Sequence, residues 1–414
     1  MADVQLDGVT SDPVAMGWMV GAPPPLDKRI LAARADHMRF PMIRWSYSNM
    51  RSFAATANVA ASGTGTPFPR NLRPDLAALR FTPLGAGEDM TFEQSLIRNY
   101  TDGILVLHRG EVVFERWFGV TGPLTRHIAF SVTKSFVGTL LEMLVGEGRI
   151  DLLARVDSVI PELAASGFGN ATIGQVHAMT TALDYSEDYT DPNSGVGAYS
   201  NALGLTPRPA GYTGPNNLWD YLATVPGAGS KGAVGNHGER FVYRTPNTDV
   251  LAWIISRAEG KPLHQVLSQR LWQPLGMLGD ADLMVDEAGS PFAGGGLNLR
   301  LEDLARFGEA LRLDGAGVIP EADVARIRSG GDPARFDPVT YPHLPGWSYG
   351  SQWWHSHDNH GAFNARGIHG QTLWIDPVAE MVISRFASHP IASSIANDPH
   401  SVPVWRALAD ALSS

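Results

Sequence analysis

The stretch Phe130-Ser131-Val132-Thr133-Lys134-Ser135-Phe136 sets a hydroxyl and an amine three residues apart. On a helix that spacing is a rise of about 4.5 Å along one face, so the Lys134 side chain reaches the Ser131 hydroxyl. A serine hydroxyl is a weak nucleophile at its own pKa and needs a neighbouring base or cation to activate it. Lysine can be either, because it can lose its proton where arginine cannot. The same spacing also fits an N-cap serine followed by a solvent-facing lysine. Two features weigh against that plainer reading. Of 32 basic residues only Lys28, Lys134, Lys231 and Lys261 are lysines, so arginine is the usual carrier of positive charge here. Gly138 also interrupts the helix, at a cost of about 1 kcal/mol relative to alanine, which is understandable if another segment packs closely on that face. A second acid–base candidate is Tyr243, in Phe241-Val-Tyr243-Arg-Thr-Pro-Asn247-Thr-Asp249, just ahead of a helix that Asn247 or Thr248 would cap. A tyrosine can act as a base if a cation lowers its pKa, and Lys134 is the cation to do so; otherwise Tyr243 is a packed aromatic with a satisfied hydroxyl.

The elements that must hold these groups read as follows. Two apolar runs flank Arg109-Gly110 in Gly103–Phe118, a β-hairpin pattern, and Gln371–Phe386 repeats it with a turn at Asp376-Pro377. Between the hairpins the periodicity is helical over 131–146, 172–182, 248–258, 263–273 and 301–312, and a last helix fits 402–412. Strands at both ends with helices between them predict an α/β fold of two lobes, an antiparallel sheet flanked by helices plus an inserted, mainly helical lobe. Residues 1–130 and 290–414 would form the discontinuous α/β lobe, with 1–100 as an irregular arm, and 131–289 the helical lobe. Residues 185–240, rich in Gly, Pro, Asn and Tyr, read as long ordered loops, which in compact proteins are commonly functional.

Taken in order, Ser131-Val-Thr-Lys134, Tyr243 ahead of Asn247-Thr-Asp249, and Gly367-Ile-His-Gly-Gln371 opening a strand resemble the serine β-lactamase and penicillin-binding-protein superfamily. Within it the chain is similar to the 6-aminohexanoate-dimer hydrolases and family VIII carboxylesterases. That closer likeness rests on Gly148–Asp151 with Val159–Leu163, on Asp184-Tyr-Ser-Glu-Asp-Tyr-Thr-Asp-Pro192, and on Asn247–Trp253. The resemblance implies a two-lobed β-lactamase-like fold. It implies Ser131 as acylated nucleophile, Lys134 as the cation that lowers the tyrosine pKa, and Tyr243 as general base and then acid. The amides of Ser131 and Ile368 would form an oxyanion hole. Tyr189 would contact the scissile or leaving group, and His369 and Gly294 would border the substrate. The glycines Gly294-Gly-Gly296 suggest room in the pocket. The chain departs from the pattern where penicillin-recognising enzymes carry Lys-Thr-Gly: no lysine stands there, which removes the usual partner of a substrate carboxylate and lowers the case for β-lactams. The loop Asn193–Asn201 carries no acid to hold an ammonium, which favours an ester or neutral amide over an amino-terminated oligomer. An acyltransferase, a β-lactam-interacting protein and a non-catalytic binding protein are the alternative readings on the same scaffold.

Other chemistries find little support. The chain has no cysteine, which excludes disulfides, thiolate metal sites and a cysteine nucleophile. A formal charge of −10 argues against nucleic acid or an acidic membrane as partner. Apolar runs are too short for a membrane span and the start lacks a signal peptide, so a cytoplasmic protein is expected, acting on a small-molecule ester or amide, with no metal or cofactor and with a homodimer suggested by the resemblance alone. Gly227–Gly232 fits Gly-x-Gly-x-x-Gly but follows a helical pattern rather than a strand, and no Gly-x-Ser-x-Gly elbow occurs. His355, His357 and His360 are the one conceivable metal cluster and read better as a polar loop. Of the aromatic group Trp347, Tyr349, Trp353 and Trp354, at least half are expected in the core.

Overall fold

In the computed structural model, residues 6–85, 87–228 and 236–413 are described. The centre is a seven-stranded antiparallel sheet. Its order is Glu111–Trp117, Thr101–His108, Met381–Ala387, Gln371–Asp376, Phe363–Gly367, Trp353–His355, Ser348–Gly350, so two hairpins more than 250 residues apart in sequence pair side by side through Thr101–His108 and Met381–Ala387. The strands are apolar on both faces because both faces are covered. Along Ile104-Leu105-Val106-Leu107, Leu105 and Leu107 enter one core while Ile104 and Val106 enter the other, the period-two alternation of a strand. The helix Leu301–Arg312 lies on the first face, and Asp398–Ser413 brings Trp405 and Leu408 to the second. A smaller four-stranded sheet joins Thr56–Val59, Ala281–Met284, Leu297–Leu299 and His127–Ile128. An α/β fold of antiparallel sheets flanked by helices is therefore present as the hairpin and helix patterns indicate.

Both hairpins form where the turn residues place them. Arg109 and Gly110 both have positive φ, 52° and 78°, the geometry of a two-residue turn matched to strand twist. The second hairpin closes over Pro377–Glu380, with the Asp376 carboxylate accepting from the Ala379 amide at 2.8 Å.

Two helical expectations and one loop expectation need correction. The helix expected over 172–182 spans only Ile173–His177; a capping box between Thr172 and Gln175 starts it, and Met179 at φ 51° turns the chain away. The carbonyls of Thr181 and Leu183 that follow accept from the Arg244 guanidinium, a partner outside the helix that its sequence does not reveal. The helix expected over 263–273 is α-helical over Leu263–Leu267 and then widens to a π-turn over Ser268–Trp272. The expected loops of 185–240 contain two short helices, Gly195–Leu203 and Leu218–Thr224. Residues 229–232 of the Gly-x-Gly-x-x-Gly stretch, Lys231 among them, lie outside the described residues. Among the described residues no helix is long and apolar enough to cross a membrane.

Candidate active site

Ser131 occupies a single 3-10 turn, Phe130–Val132, that leads into the helix Thr133–Gly146. Phe130, immediately before it, holds φ at 43°, a conformation bulky residues avoid, and its ring is clamped edge-on by Tyr47 at 4.9 Å and tilted against His369 at 5.6 Å. The strained turn presents Ser131 at the mouth of the helix. Lys134 is 1% exposed, and its Nζ lies 2.9 Å from Ser131 Oγ, 3.2 Å from Thr245 Oγ1 and 2.5 Å from the Gly294 carbonyl. A neutral amine there donates to Gly294 and Thr245 and keeps a lone pair for the Ser131 proton. Burial pulls the Lys134 pKa below the ordinary lysine value, against the opposing pull of Glu187 and Asp249. No other lysine among the described residues resembles it: Lys28 lies over the Trp18 ring and Lys261 donates to Gln269.

Asp249 backs the amine. It lies in the first turn of the helix Pro246–Glu259, is 4% exposed, and accepts from Tyr199 Oη at 2.8 Å and the Gly294 amide at 3.1 Å. Burial raises its pKa. Gly294 thus bridges Asp249 and Lys134 through its own backbone. A Cβ on it would stand 2.4 Å from Thr245 Cγ2, and one on Gly295 2.7 Å from the Phe292 ring. The three glycines therefore allow close packing, which corrects the expectation that they leave room.

Tyr243 is half-buried beside Ser131, its ring stacked 5.6 Å from Trp354 and 5.1 Å from Lys134 Nζ. Desolvation pushes its hydroxyl well above the usual tyrosine value, against the opposing effect of a hydrogen bond with Ser131. This reverses the expected sign: Lys134 faces the ring and bonds Ser131, Thr245 and Gly294 rather than the phenol oxygen, so it does not offset the loss of water there. Glu187 accepts from the Thr245 amide and from Tyr189 Oη, the latter at 2.8 Å. Tyr189 itself is 43% exposed.

Two cavities meet at Ser131. The larger, about 720 Å³, is bordered by Tyr243, Glu187, Trp354, Tyr341, Arg366 and Arg240 among others. The smaller, about 280 Å³, is bordered by Phe130, Met38, Val196, Leu205, Phe292 and Gly294 among others. Ser131, Tyr189 and Ile368 line both. Ile368 follows the sheet strand Phe363–Gly367, where a Cβ on Gly367 would meet the Ala129 carbonyl at 2.7 Å, so this strand end is pressed against the chain entering Ser131. His369 lines the smaller cavity with its Nδ1 2.7 Å from the His389 carbonyl, and burial pulls its pKa down to about 4, leaving it neutral.

All seven residues singled out from the sequence, Ser131, Lys134, Tyr243, Ile368, Tyr189, His369 and Gly294, gather around this one point. The sequence reading missed Thr245, Asp249, Glu187 and Tyr199. Thr245 and Asp249 stand four apart at the head of one helix, a spacing that puts both on one face. It also missed Arg366, which lines the larger cavity one residue before Gly367, so the lining strand does carry a cation; the Asp398 carboxylate pairs with it. Asn247 is fully buried, bonding Thr181 at 2.9 Å and the Arg244 carbonyl at 3.1 Å, and borders neither cavity. His357 pairs with Ser348 and His360 with Asp376, and no group of three metal-ligating side chains gathers among the described residues. Of the four aromatics, Trp354 lines the larger cavity and Trp347, Tyr349 and Trp353 are core.

Known proteins place this geometry in a family. The family model Beta-lactamase matches residues 94–398. A 6-aminohexanoate-dimer hydrolase of Paenarthrobacter ureafaciens is 35% identical over 356 residues, 84% of this chain and 86% of that protein. A solved structure from Bacillus anthracis, provisionally described as a 6-aminohexanoate-dimer hydrolase, is 30% identical and superposes with a TM-score of 0.82 over 94% of this chain and 99% of that one. EstCE1, a hydrolase with promiscuous acyltransferase activity, shares the fold at 16% identity, with a TM-score of 0.57 over 78% of this chain and 96% of that one. By sequence along most of its length, and by fold, the chain belongs to the β-lactamase family.

Proposed function

We propose that the protein is a serine hydrolase that cleaves carboxylic esters or linear amides through an acyl-enzyme on Ser131. The observation that carries this reading is the 2.9 Å contact between a buried, desolvated Lys134 amine and the Ser131 hydroxyl at the junction of two cavities. Ser131 Oγ attacks the carbonyl carbon and Lys134 takes its proton. The carbonyl oxygen gains the negative charge, and the amides of Ser131 and Ile368 are the donors proposed to receive it; each such donor contributes about 3–4 kcal/mol in a serine protease. When the tetrahedral intermediate collapses, the bond to the leaving oxygen or nitrogen breaks and that atom takes a proton from Tyr243, whose raised pKa keeps it protonated and able to donate. Lys134 gives up its proton and Tyr243 regains one by exchange with water, Tyr243 from the larger cavity it borders, so the protons balance. Water then adds to the acyl-enzyme by the same steps in reverse order, releasing the acid and regenerating Ser131. The relatives whose names specify 6-aminohexanoate-dimer hydrolysis support an amide as one substrate type.

The test is the hydrolysis of p-nitrophenyl acetate by the parent and by Ser131→Ala. Loss of activity by about 10⁴-fold or more is the expected result, in keeping with removal of a catalytic serine elsewhere. A variant that keeps most of the activity would rule out Ser131 as the nucleophile.

A further inference from the structure

The two cavities at Ser131 differ in chemistry. The larger presents Glu187, Asp337, Arg240, Arg335 and Arg366. The smaller has no Asp, Glu, Lys or Arg in its lining, and its histidine, His369, is tied to the His389 carbonyl. Its one phenol deep in the wall, Tyr199, already donates to Asp249. A charge placed there would lose its water and find no ionic partner, which is costly.

Tyr243 fixes which half of the substrate goes where. It borders the larger cavity and not the smaller. A proton donor must stand within hydrogen-bond reach of the leaving atom, so the leaving group departs into the larger cavity and the acyl group lies in the smaller one. We infer that the enzyme is selective for a neutral, apolar acyl group seated in the cavity lined by Phe130, Met38, Val196, Leu205 and Phe292, joined to a polar leaving group in the larger, charged cavity. This rests on the serine hydrolase reading above.

The experiment is a p-nitrophenyl ester series with constant leaving group: acetyl, butanoyl, hexanoyl, 6-aminohexanoyl and the monoester of hexanedioic acid. Across the neutral chains kcat/KM should climb by up to about fourfold per added methylene while the chain remains inside the cavity, the fold-change that burying one CH₂ corresponds to. The 6-ammonium and 6-carboxylate chains should fall at least tenfold below hexanoyl. Leu205→Trp fills the smaller cavity and should cut the hexanoyl-to-acetyl ratio at least tenfold; Ser200→Phe, on the helix Gly195–Leu203, adds bulk from the same wall at a second position and guards against a single variant that misfolds. Ala334→Trp, in the larger cavity, should alter preference among leaving groups rather than acyl chains. Equal or better turnover of the charged acyl chains, or a hexanoyl-to-acetyl ratio that collapses in Ala334→Trp and not in Leu205→Trp, would overturn the assignment. Failure of the parent to hydrolyse any ester or amide is a separate outcome and would count against the proposed function itself.

Discussion

Lys134 is held by three oxygens and faces two carboxylates through space, an arrangement a solvent-facing lysine would not need. If it must be neutral to take the Ser131 proton, its lowered pKa sets the pH dependence. Activity is then lost as pH falls through the Lys134 pKa and rises to a plateau above it. That acidic limb should lie below the ordinary lysine value of about 10.4, and Tyr243, titrating well above its own ordinary value, should add no alkaline limb up to about pH 9. A kcat/KM profile for a neutral ester checks this, and a limb at the ordinary lysine value would contradict it. Lys134→Arg keeps a charge but cannot release it, so kcat/KM should drop by about 10²–10⁴-fold. Tyr243→Phe should depend on the leaving group: a large loss with an anilide or alkyl ester, and a much smaller one with p-nitrophenyl esters, whose leaving group needs no proton. Equal losses on both would remove Tyr243 as the acid. At this scale the Ser131–Lys134 pair was legible because its spacing is local. Asp249 and Glu187 were not, since each meets Lys134 only through tertiary packing between segments that are far apart in the chain. The direction of the Tyr243 shift was read wrongly for the same reason: pattern cannot show whether a cation meets a ring or its hydroxyl.

The helix Thr133–Gly146 carries its own explanation for Gly138. A Cβ there would stand 2.3 Å from the Ser351 carbonyl and 2.6 Å from Gln352 Cβ. That approach is held by Ser135 Oγ, which donates to the Gln352 carbonyl at 2.8 Å. The mid-helix glycine was thus a readable sign of close packing, although its partner lay more than 200 residues away. Gly138→Ala should destabilise by about 1–3 kcal/mol through overpacking, although alanine favours a helix by about 1 kcal/mol. Urea unfolding of the variant measures it, and a stabilised variant would contradict the packing. The hairpins were legible because turn chemistry at Arg109-Gly110 and Asp376-Pro377 is local. The early end of the 172–182 helix was not, because Arg244 claims the carbonyls that follow, and no local signal announces that.

Across the molecule, Glu142 joins segments that are remote in sequence. Its Oε1 meets His177 Nε2 at 2.9 Å and accepts from Ser351 Oγ at 2.6 Å, and its Oε2 accepts from Arg326 Nε at 2.9 Å. Burial alone would raise its pKa; the bonds from His177, Ser351 and Arg326 outweigh that and hold it at about 2, against an ordinary 4.5. A carboxylate depressed on folding stabilises above its unfolded pKa and loses that contribution as pH falls through the folded one, so the window is about pH 4.5 down to 2. The shift corresponds to roughly 3 kcal/mol at 1.36 kcal/mol per unit. Glu142→Gln should lower Tm at pH 7 and flatten the loss of stability below pH 4.5, as read by thermal melts across pH; an unchanged acid dependence would show the carboxylate is not the linkage. The antiparallel sheet, the flanking helices and the family were readable from ordered motifs. The two unlike cavities were not, because they are built from walls spread from Met38 to Ile395.

The central claim is a covalent intermediate on one serine, and the most direct measurement is mass spectrometry of the protein quenched during turnover of p-nitrophenyl hexanoate. The account predicts a single hexanoyl mass increment, mapped by peptide digestion to Ser131, in the parent and its absence in Ser131→Ala. An adduct on another residue, or rapid turnover with no adduct alongside an active Ser131→Ala variant, would contradict it.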